Sequence, residues 1–365
     1  MLLDTLPLSP PVDSTISFSD FIRREDPLVS VVITAYQKAP FLFDTIASFA
    51  NQGWPHLEIL VVNDGSPDNS LGVAIEAKQR FPNRPIYVLD KPNGGVSDAR
   101  NFGFSRVRGR VVLTMDGDDQ AKSNYIETAV RTLRETGANL FHGIQENFGE
   151  EPGEWVPHPY DPYRLRYDNC LLTPSVFDRL LFEKTGGYHP CLSYCEDWAF
   201  WVACSRCGLQ VARSSERLTR YRIQSTGLQS EHINGRWQDC FDIVAIANED
   251  LYMVEEVLAC HAHFPTSHAP SLQRVETLAA RHPNSWLGQF LTGLLYESRG
   301  NAPEAINRYT AAHNLSNNKS WQPLLRIGLL LERLDRRRDA APFLHQCRIM
   351  RPDLGMLVNE KLKNL

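Results

Sequence analysis

RVVLTMDGDD, residues 110–119, decides how the chain is read. A run of apolar and β-branched residues, Val111 to Met115, breaks off at Asp116, Gly117, Asp118 and Asp119. Three carboxylates at the mouth of a buried strand repel one another and give a fold nothing by themselves. A divalent cation would offset that repulsion, because Mg²⁺ and Mn²⁺ take hard oxygen ligands and keep positions for phosphates. Strand ends in open α/β sheets are also where ligands bind. Taken alone, the motif could equally be an acidic turn that caps the next helix, so the flanking sequence has to decide.

On the N-terminal side, strand and helix patterns alternate. Val29–Thr34 and Leu57–Val62 are near-continuous apolar runs, as expected of parallel strands covered on both faces. Leu42, Ile46 and Phe49 follow the first at helical spacing, and residues 71–80 form a second helical segment before Pro82. Ile86–Leu89 is a third strand, Val96, Ala99 and Phe102 mark a third helix face, and Val111–Met115 is the fourth strand. Tyr125–Glu135 is then a helix and Leu140–Phe148 a fifth strand. This βαβαβαβ order predicts a doubly wound, mostly parallel, Rossmann-like nucleotide-binding sheet with right-handed crossovers. Thr34 with Tyr36, Asp64, and the aspartate cluster would then meet at one carboxyl edge.

Residues 1–27 are rich in Pro and Ser and read as a lead-in. Residues 150–168, crowded with Pro, Tyr and Trp, read as a long loop of the kind that tends to be functional. Cys191, Cys195, Cys204 and Cys207 could form a thiolate zinc site, but the large apolar residues between them favour free thiols packed as small hydrophobes. Beyond residue 235 strand signals cease. Trp286, Gly293, Leu294, Leu295, Glu297 and Ala305 recur as Trp321, Gly328, Leu329, Leu330, Glu332 and Ala340. That period is close to the ~34 residues of tetratricopeptide units, with residues 270–353 as the repeat region and 271–282 as half a preceding unit. The expected organisation is a sheet domain at 28–235 and an all-α region at 236–365.

A net charge of −5 argues against nucleic acid as the partner. The N-terminus shows neither the basic stretch nor the apolar core of a secretory signal. No window approaches the ~18 uninterrupted apolar residues of a membrane span. The expected location is the cytoplasm, or the inner face of the membrane as a peripheral protein.

Four blocks, in this order, carry a family resemblance: VSVVITAYQKAPFLFDTIASFANQ, LEILVVNDGSPDNS, KPNGGVSDARNFGFSRVRGRVVLTMDGDD and EKTGGYHPCLSYCEDWAFWVACSRCG. Together they resemble family 2 glycosyltransferases of the GT-A fold, over roughly residues 29–223. Departures are Gln37 where the family often has Asn, Asn63-Asp64 in place of Asp-Asp, and Ile233 in place of the glutamine that processive members carry ahead of Arg236-Trp237.

The resemblance implies an inverting, metal-dependent transfer from a nucleotide-diphosphate sugar. Asp118 is then the direct ligand of Mn²⁺ or Mg²⁺, with Asp116 at the ribose or sugar and assisting at the metal. Asp64 accepts a hydrogen bond from a uracil or guanine N–H, Thr34, Ala35 and Tyr36 line the base pocket, and the donor is expected to be a UDP-sugar ahead of GDP- or dTDP-sugars. Arg100 steadies the diphosphate or locks Asp116, or else forms a surface salt bridge with Asp98. Asp197 is the general base and Glu196 its neighbour; Trp198 is either an acceptor wall or part of a core stripe. Tyr221-Arg222 meet the leaving diphosphate. The acceptor class stays open among glycan, lipid-linked glycan and protein. Two alternatives stand beside this. A sugar-1-phosphate nucleotidyltransferase would show a Gly-rich loop after the first strand, which TAYQKAP lacks. A catalytically silent scaffold would bind glycans or proteins through the helical repeats, which in an active enzyme could instead hold a protein partner or a second copy.

Overall fold

The computed structural model describes residues 3–24, 26–190, 192, 194–224, 237–252, 257, 279–280 and 283–352. The chain divides into two compact units, Met1–Asn234 and Gly235–Leu365.

The first unit is built on a nine-stranded sheet. Strands β1 (Val29–Ala35), β2 (Leu57–Asp64), β3 (Ile86–Lys91) and β4 (Val111–Asp116) lie in the order β3-β2-β1-β4, all parallel. Every residue of β1 and β2 is buried, the consequence of helices on both faces. Helices α2 (Leu42–Ala50), α3 (Ser70–Arg80), α4 (Val96–Phe104) and α5 (Tyr125–Thr136) supply the crossovers and flanks. The sheet continues through β8 (Val176–Asp178), β6 (Leu140–Gly149), β9 (Val211–Ile223) and β5 (Gln120–Ala121), with β7 (Gly153–Trp155) paired to β6. β8 runs antiparallel between β4 and β6, and β6 pairs in parallel with β9, so the mixed sheet remains mostly parallel. A register shift at His142 and Ile144 marks a bulge, where Gly143 admits the Glu216 carbonyl 2.8 Å from the position a Cβ would take.

The buried face of α4 is Ser97, Ala99, Arg100, Gly103 and Phe104, one position off the Val96–Ala99–Phe102 stripe expected from spacing. Residues 3–24 pack along this unit rather than standing apart. Asp4 takes the Lys78 ammonium at 2.7 Å, and α1 (Phe18–Arg24) buries Phe18 and Ile22 in the core. The long segment after β6 is partly ordered as β7 and a 3-10 turn at Arg164–Arg166. α6 (Arg179–Thr185) is capped at its N-terminus by Asp178, whose carboxylate accepts from Leu180 N at 3.1 Å. α7 (Glu196–Ser205) follows.

The second unit holds α8 (Trp237–Ala247) and two helical hairpins, α9 (Trp286–Ser298) with α10 (Ala302–Leu315) and α11 (Gln322–Arg333) with α12 (Arg337–Met350). Their close approach repeats with the sequence period. A Cβ on Gly293 would stand 2.5 Å from the Tyr309 ring, and one on Gly328 would stand 2.5 Å from Leu344. Ala305 and Ala340 are fully buried at equivalent places. Most of the half-unit expected at 271–282 lies outside the described residues. Among those described, no helix is long and apolar enough to cross a membrane.

Candidate active site

The carboxyl ends of β3, β2, β1 and β4 bring Lys91, Asp64, Thr34 and Asp116 to one edge, in the pairs Asp64↔Lys91 and Thr34↔Asp116. The acidic loop begins there. Gly117 N donates to the Thr34 carbonyl at 2.9 Å, and that carbonyl lies 2.9 Å from where a Gly117 Cβ would be, so only glycine fits.

Arg100 binds the two halves of the site together. Its guanidinium is 1% exposed, donates Nη2 to Asp116 Oδ1 at 2.9 Å and Nη1 to Glu196 Oε1 at 2.5 Å, and lies 5.2 Å from the centre of the Tyr188 ring. Asp98, the alternative partner, pairs with Lys91 at 2.6 Å instead. Burial resists ionisation of Asp116, but the charge of Arg100, helped by Lys38 and Thr34, holds that carboxyl below its ordinary value.

The other two acids of the loop are not reached by Arg100 and behave oppositely. Burial pushes Asp118 up despite the Lys38 ammonium, 2.5 Å from its Oδ2. Burial and its two acidic neighbours raise Asp119 well above the carboxylate range; it accepts from Arg222 N at 2.9 Å. Arg222 also donates Nε to the Asp118 carbonyl at 3.1 Å, and its guanidinium lies 4.3 Å from the ring centres of both Phe41 and Phe148. Burial and the acidic cluster likewise raise Tyr221. An excess of buried negative charge on oxygen ligands is the electrostatic condition a hard divalent cation relieves.

The Glu196-Asp197 step divides into two environments. α7 begins after Cys195, which sits in the left-handed region at φ 54°. Glu196 is buried on Arg100, and burial, with Asp197 and Asp116, pushes it up to about 6 against the pull of that guanidinium. Asp197 is half-buried; it accepts from Thr173 Oγ1 at 2.8 Å and from Trp198 N at 2.8 Å. Trp198 is no acceptor wall: it is 4% exposed, and its indole N–H donates to the Leu165 carbonyl at 2.6 Å. Cys195 is disulfide-bonded, which corrects the expectation of free thiols there, whereas Cys204 and Cys207 are free.

At the expected base pocket, Tyr36 is 44% exposed and offers a ring face, Ala35 is buried, and Thr34 Oγ1 reaches Asp116 Oδ1 at 3.4 Å. Asp64 is committed more heavily than its sequence context implied. Its Oδ1 takes Lys91 Nζ at 2.6 Å and Gly94 N at 2.9 Å, and its Oδ2 takes Gly95 N at 2.8 Å. A carboxylate has about four acceptor positions, so room for one further N–H remains.

Lys38, Lys91, Thr173 and Asp68 were not singled out from sequence. Asp68 organises the loop after β1. It accepts from Ser66 Oγ, Ser70 Oγ and the backbone N–H of Ala39, which against the opposing effect of burial hold it at about 2. Gln37 N and Lys38 N donate to Ser66 Oγ and Ser70 Oγ at 2.7 and 2.9 Å. Gln37 adopts φ 55°, a conformation asparagine tolerates better than most residues, which accounts physically for the Asn often found there in the family.

A doubly wound sheet with an Asp-x-Asp loop at its carboxyl edge and a second acidic step facing it defines a nucleotide-sugar transferase of the GT-A type. Residues 30–189, within the sheet unit, match the sequence profile of glycosyl transferase family 2. An uncharacterized glycosyltransferase of Haemophilus influenzae is 28% identical over 229 residues, covering 56% of this chain and 68% of that protein. TuaG of Bacillus subtilis, a glycosyltransferase named for teichuronic acid biosynthesis, is 26% identical over 211 residues, covering 56% of this chain and 82% of its own. Staphylococcus aureus TarS residues 1–349, solved with UDP-GlcNAc, superposes with a TM-score of 0.55 at 17% identity over 79% of this chain and 92% of that one, a likeness of fold.

Proposed function

We propose that this glycosyltransferase moves a sugar, with inversion, from a nucleotide-diphosphate sugar to a hydroxyl of a glycan, lipid-linked or protein acceptor. The observation that carries this reading is the buried Arg100 bridge, which ties Asp116 on the donor side to Glu196 beside Asp197. Asp197 accepts the proton of the attacking hydroxyl as the acceptor oxygen bonds to the anomeric carbon and the bond to the diphosphate breaks. Glu196, spent on Arg100, positions that base. Asp64 receives a base N–H and Tyr36 stacks on the ring, with UDP preferred over GDP or dTDP; the UDP-GlcNAc complex of TarS supports that order. Asp118 and Asp116 would hold Mn²⁺ or Mg²⁺, which supplies positive charge to the departing diphosphate. Among the described residues no three His, Cys, Asp or Glu side chains form a cage; Mg²⁺ is commonly held by one or two carboxylates completed by substrate phosphates.

The likeness to TuaG, named for teichuronic acid biosynthesis, supports an acceptor in polysaccharide synthesis, reached from the cytoplasmic side of the membrane. The tetratricopeptide-like hairpins are assigned to holding a protein partner or a second copy.

The test is transfer from UDP-, GDP- and dTDP-sugars by the purified full chain. Asp197→Asn is expected to lower turnover about 10²- to 10⁴-fold while calorimetric binding of the donor nucleotide persists. Asp118→Ala is expected to abolish turnover and metal-dependent nucleotide binding with an unchanged melting temperature. Undiminished turnover in either variant removes the corresponding role.

A further inference from the structure

Lys38 has no part in the functions above, yet it occupies the carboxylate expected to hold the metal. Its Nζ lies 2.5 Å from Asp118 Oδ2, and both side chains are mostly buried, at 29% and 13% exposure. The contact is built rather than incidental. Three successive backbone N–H groups, of Gln37, Lys38 and Ala39, are fixed by Ser66, Ser70 and Asp68. The acidic loop is held against the same segment, since a Cβ on Gly117 would stand 3.3 Å from Lys38 Cβ. Arg222, the other cation at the loop, reaches it through the Asp118 carbonyl and by its own backbone to Asp119, which leaves the Asp118 carboxylate to Lys38.

We propose that Lys38 is an internal counter-cation that competes with the divalent metal for Asp118, so that the metal binds firmly only together with the nucleotide diphosphate. This rests on the reading of Asp118 as metal ligand. Lys38 occupies Oδ2, and a divalent ion on the same carboxylate would stand within a few ångströms of that ammonium, so like-charge repulsion sets the two cations against each other. Phosphate oxygens supply the extra ligands that tip the exchange toward the metal.

The test is Mn²⁺ binding to the nucleotide-free full chain, read by electron paramagnetic resonance of the unbound ion. Lys38→Met is expected to bind Mn²⁺ about five- to tenfold more tightly than the parent, and Lys38→Arg to stay near the parent, the range expected for removing one partly buried ion pair. Backbone groups pin the loop, so its fold should survive both changes; the melting temperature checks this. Lys122→Met, which removes a lysine paired at 2.8 Å with Glu146, controls for net charge and should leave affinity unchanged. Unaltered or weaker binding in Lys38→Met, no binding in parent and Lys38→Met alike, or equal tightening in Lys122→Met overturns the proposal. Asp118→Asn separates the underlying assignment: unchanged Mn²⁺ affinity there would mean that the metal is held elsewhere.

Discussion

The sheet unit buries charge and the helical hairpins do not. At the sheet edge Arg100, Glu196, Asp119 and Asp64 are all buried, and each is held by a named partner. Deeper in the same unit, Glu58 accepts from Arg108 Nε at 2.7 Å and Asp178 from Arg110 Nε at 3.0 Å. Among the described residues of α9 to α12 no Asp, Glu, Lys or Arg is buried; the interior there is Leu, Ala, Phe and Tyr against glycine. Burying ions is costly and rarely the best route to stability. The sheet edge therefore spends stability on chemistry, while the interior of the hairpins converts apolar contact into stability. Substitutions should separate accordingly: activity and folding fall together where the buried Arg100 bridge is cut, activity falls alone at Asp118 and Asp197, and folding falls alone in the hairpins.

The largest effect is expected at Arg100. Arg100→Met strands the buried Glu196 and the partly exposed Asp116, which should lower unfolding free energy by about 3 kcal/mol and abolish transfer. Chemical denaturation and a transfer assay on one preparation check both. Arg100→Lys keeps the charge but not the two-pronged geometry, and should recover more stability than activity. Parent-like turnover in Arg100→Met would break the contrast, because the bridge would then be structural only.

What the sequence reveals follows the same division. The four parallel strands were legible because burial on both faces imposes uninterrupted apolar runs, and the aspartate cluster was legible because chemistry alone explains its charge. Partner choice was not. Arg100 stands two residues from Asp98, but helical residues two apart point to different faces, so the neighbour in sequence is no neighbour in space. Lys38 and Asp118 meet across eighty residues, and only the pairing of β1 with β4 makes that contact. Strand β8, three residues long, is too short to leave a periodic trace, yet it is the antiparallel strand that joins β4 to β6. The hairpin period survived because each Gly must face a large side chain one helix later, a constraint that repeats with the fold.

Gly293→Ala probes the hairpins. The added methyl meets Tyr309, whose ring is fully buried and whose hydroxyl donates to Glu297 Oε2 at 2.6 Å, so the ring cannot swing clear. Overpacking of this kind costs about 1–3 kcal/mol, partly offset by the better helix propensity of alanine, worth up to about 1 kcal/mol. A lower melting transition with unchanged transfer per folded molecule is expected, and Gly328→Ala against Leu344 should behave alike. A fall in turnover of the folded fraction would mean that the hairpins contribute to chemistry.

The smallest effect concerns His142, a titratable group buried in the sheet unit away from the acids. Burial dominates and, with Arg213, holds its imidazole at about 4, against a weaker opposing bond to the Gly143 carbonyl. The unfolded chain carries histidine near 6.5, so between about 4 and 6.5 the unfolded state binds more protons than the folded one. Stability from this residue is therefore present above pH 6.5 and is lost as pH falls through that window, by roughly 1 kcal/mol at pH 5.5. Glu196 works in the opposite sense, since its raised value favours the folded state at low pH and that contribution fades as pH rises toward 6. The two slopes overlap and partly cancel in the parent. Replacing the imidazole, as in His142→Asn, should leave Glu196 unopposed, so that stability measured by denaturant titration from pH 4.5 to 7 declines more steeply with pH than in the parent. A profile parallel to that of the parent would mean that His142 takes up its proton in the folded sheet as readily as in the unfolded chain, so that burial does not depress it.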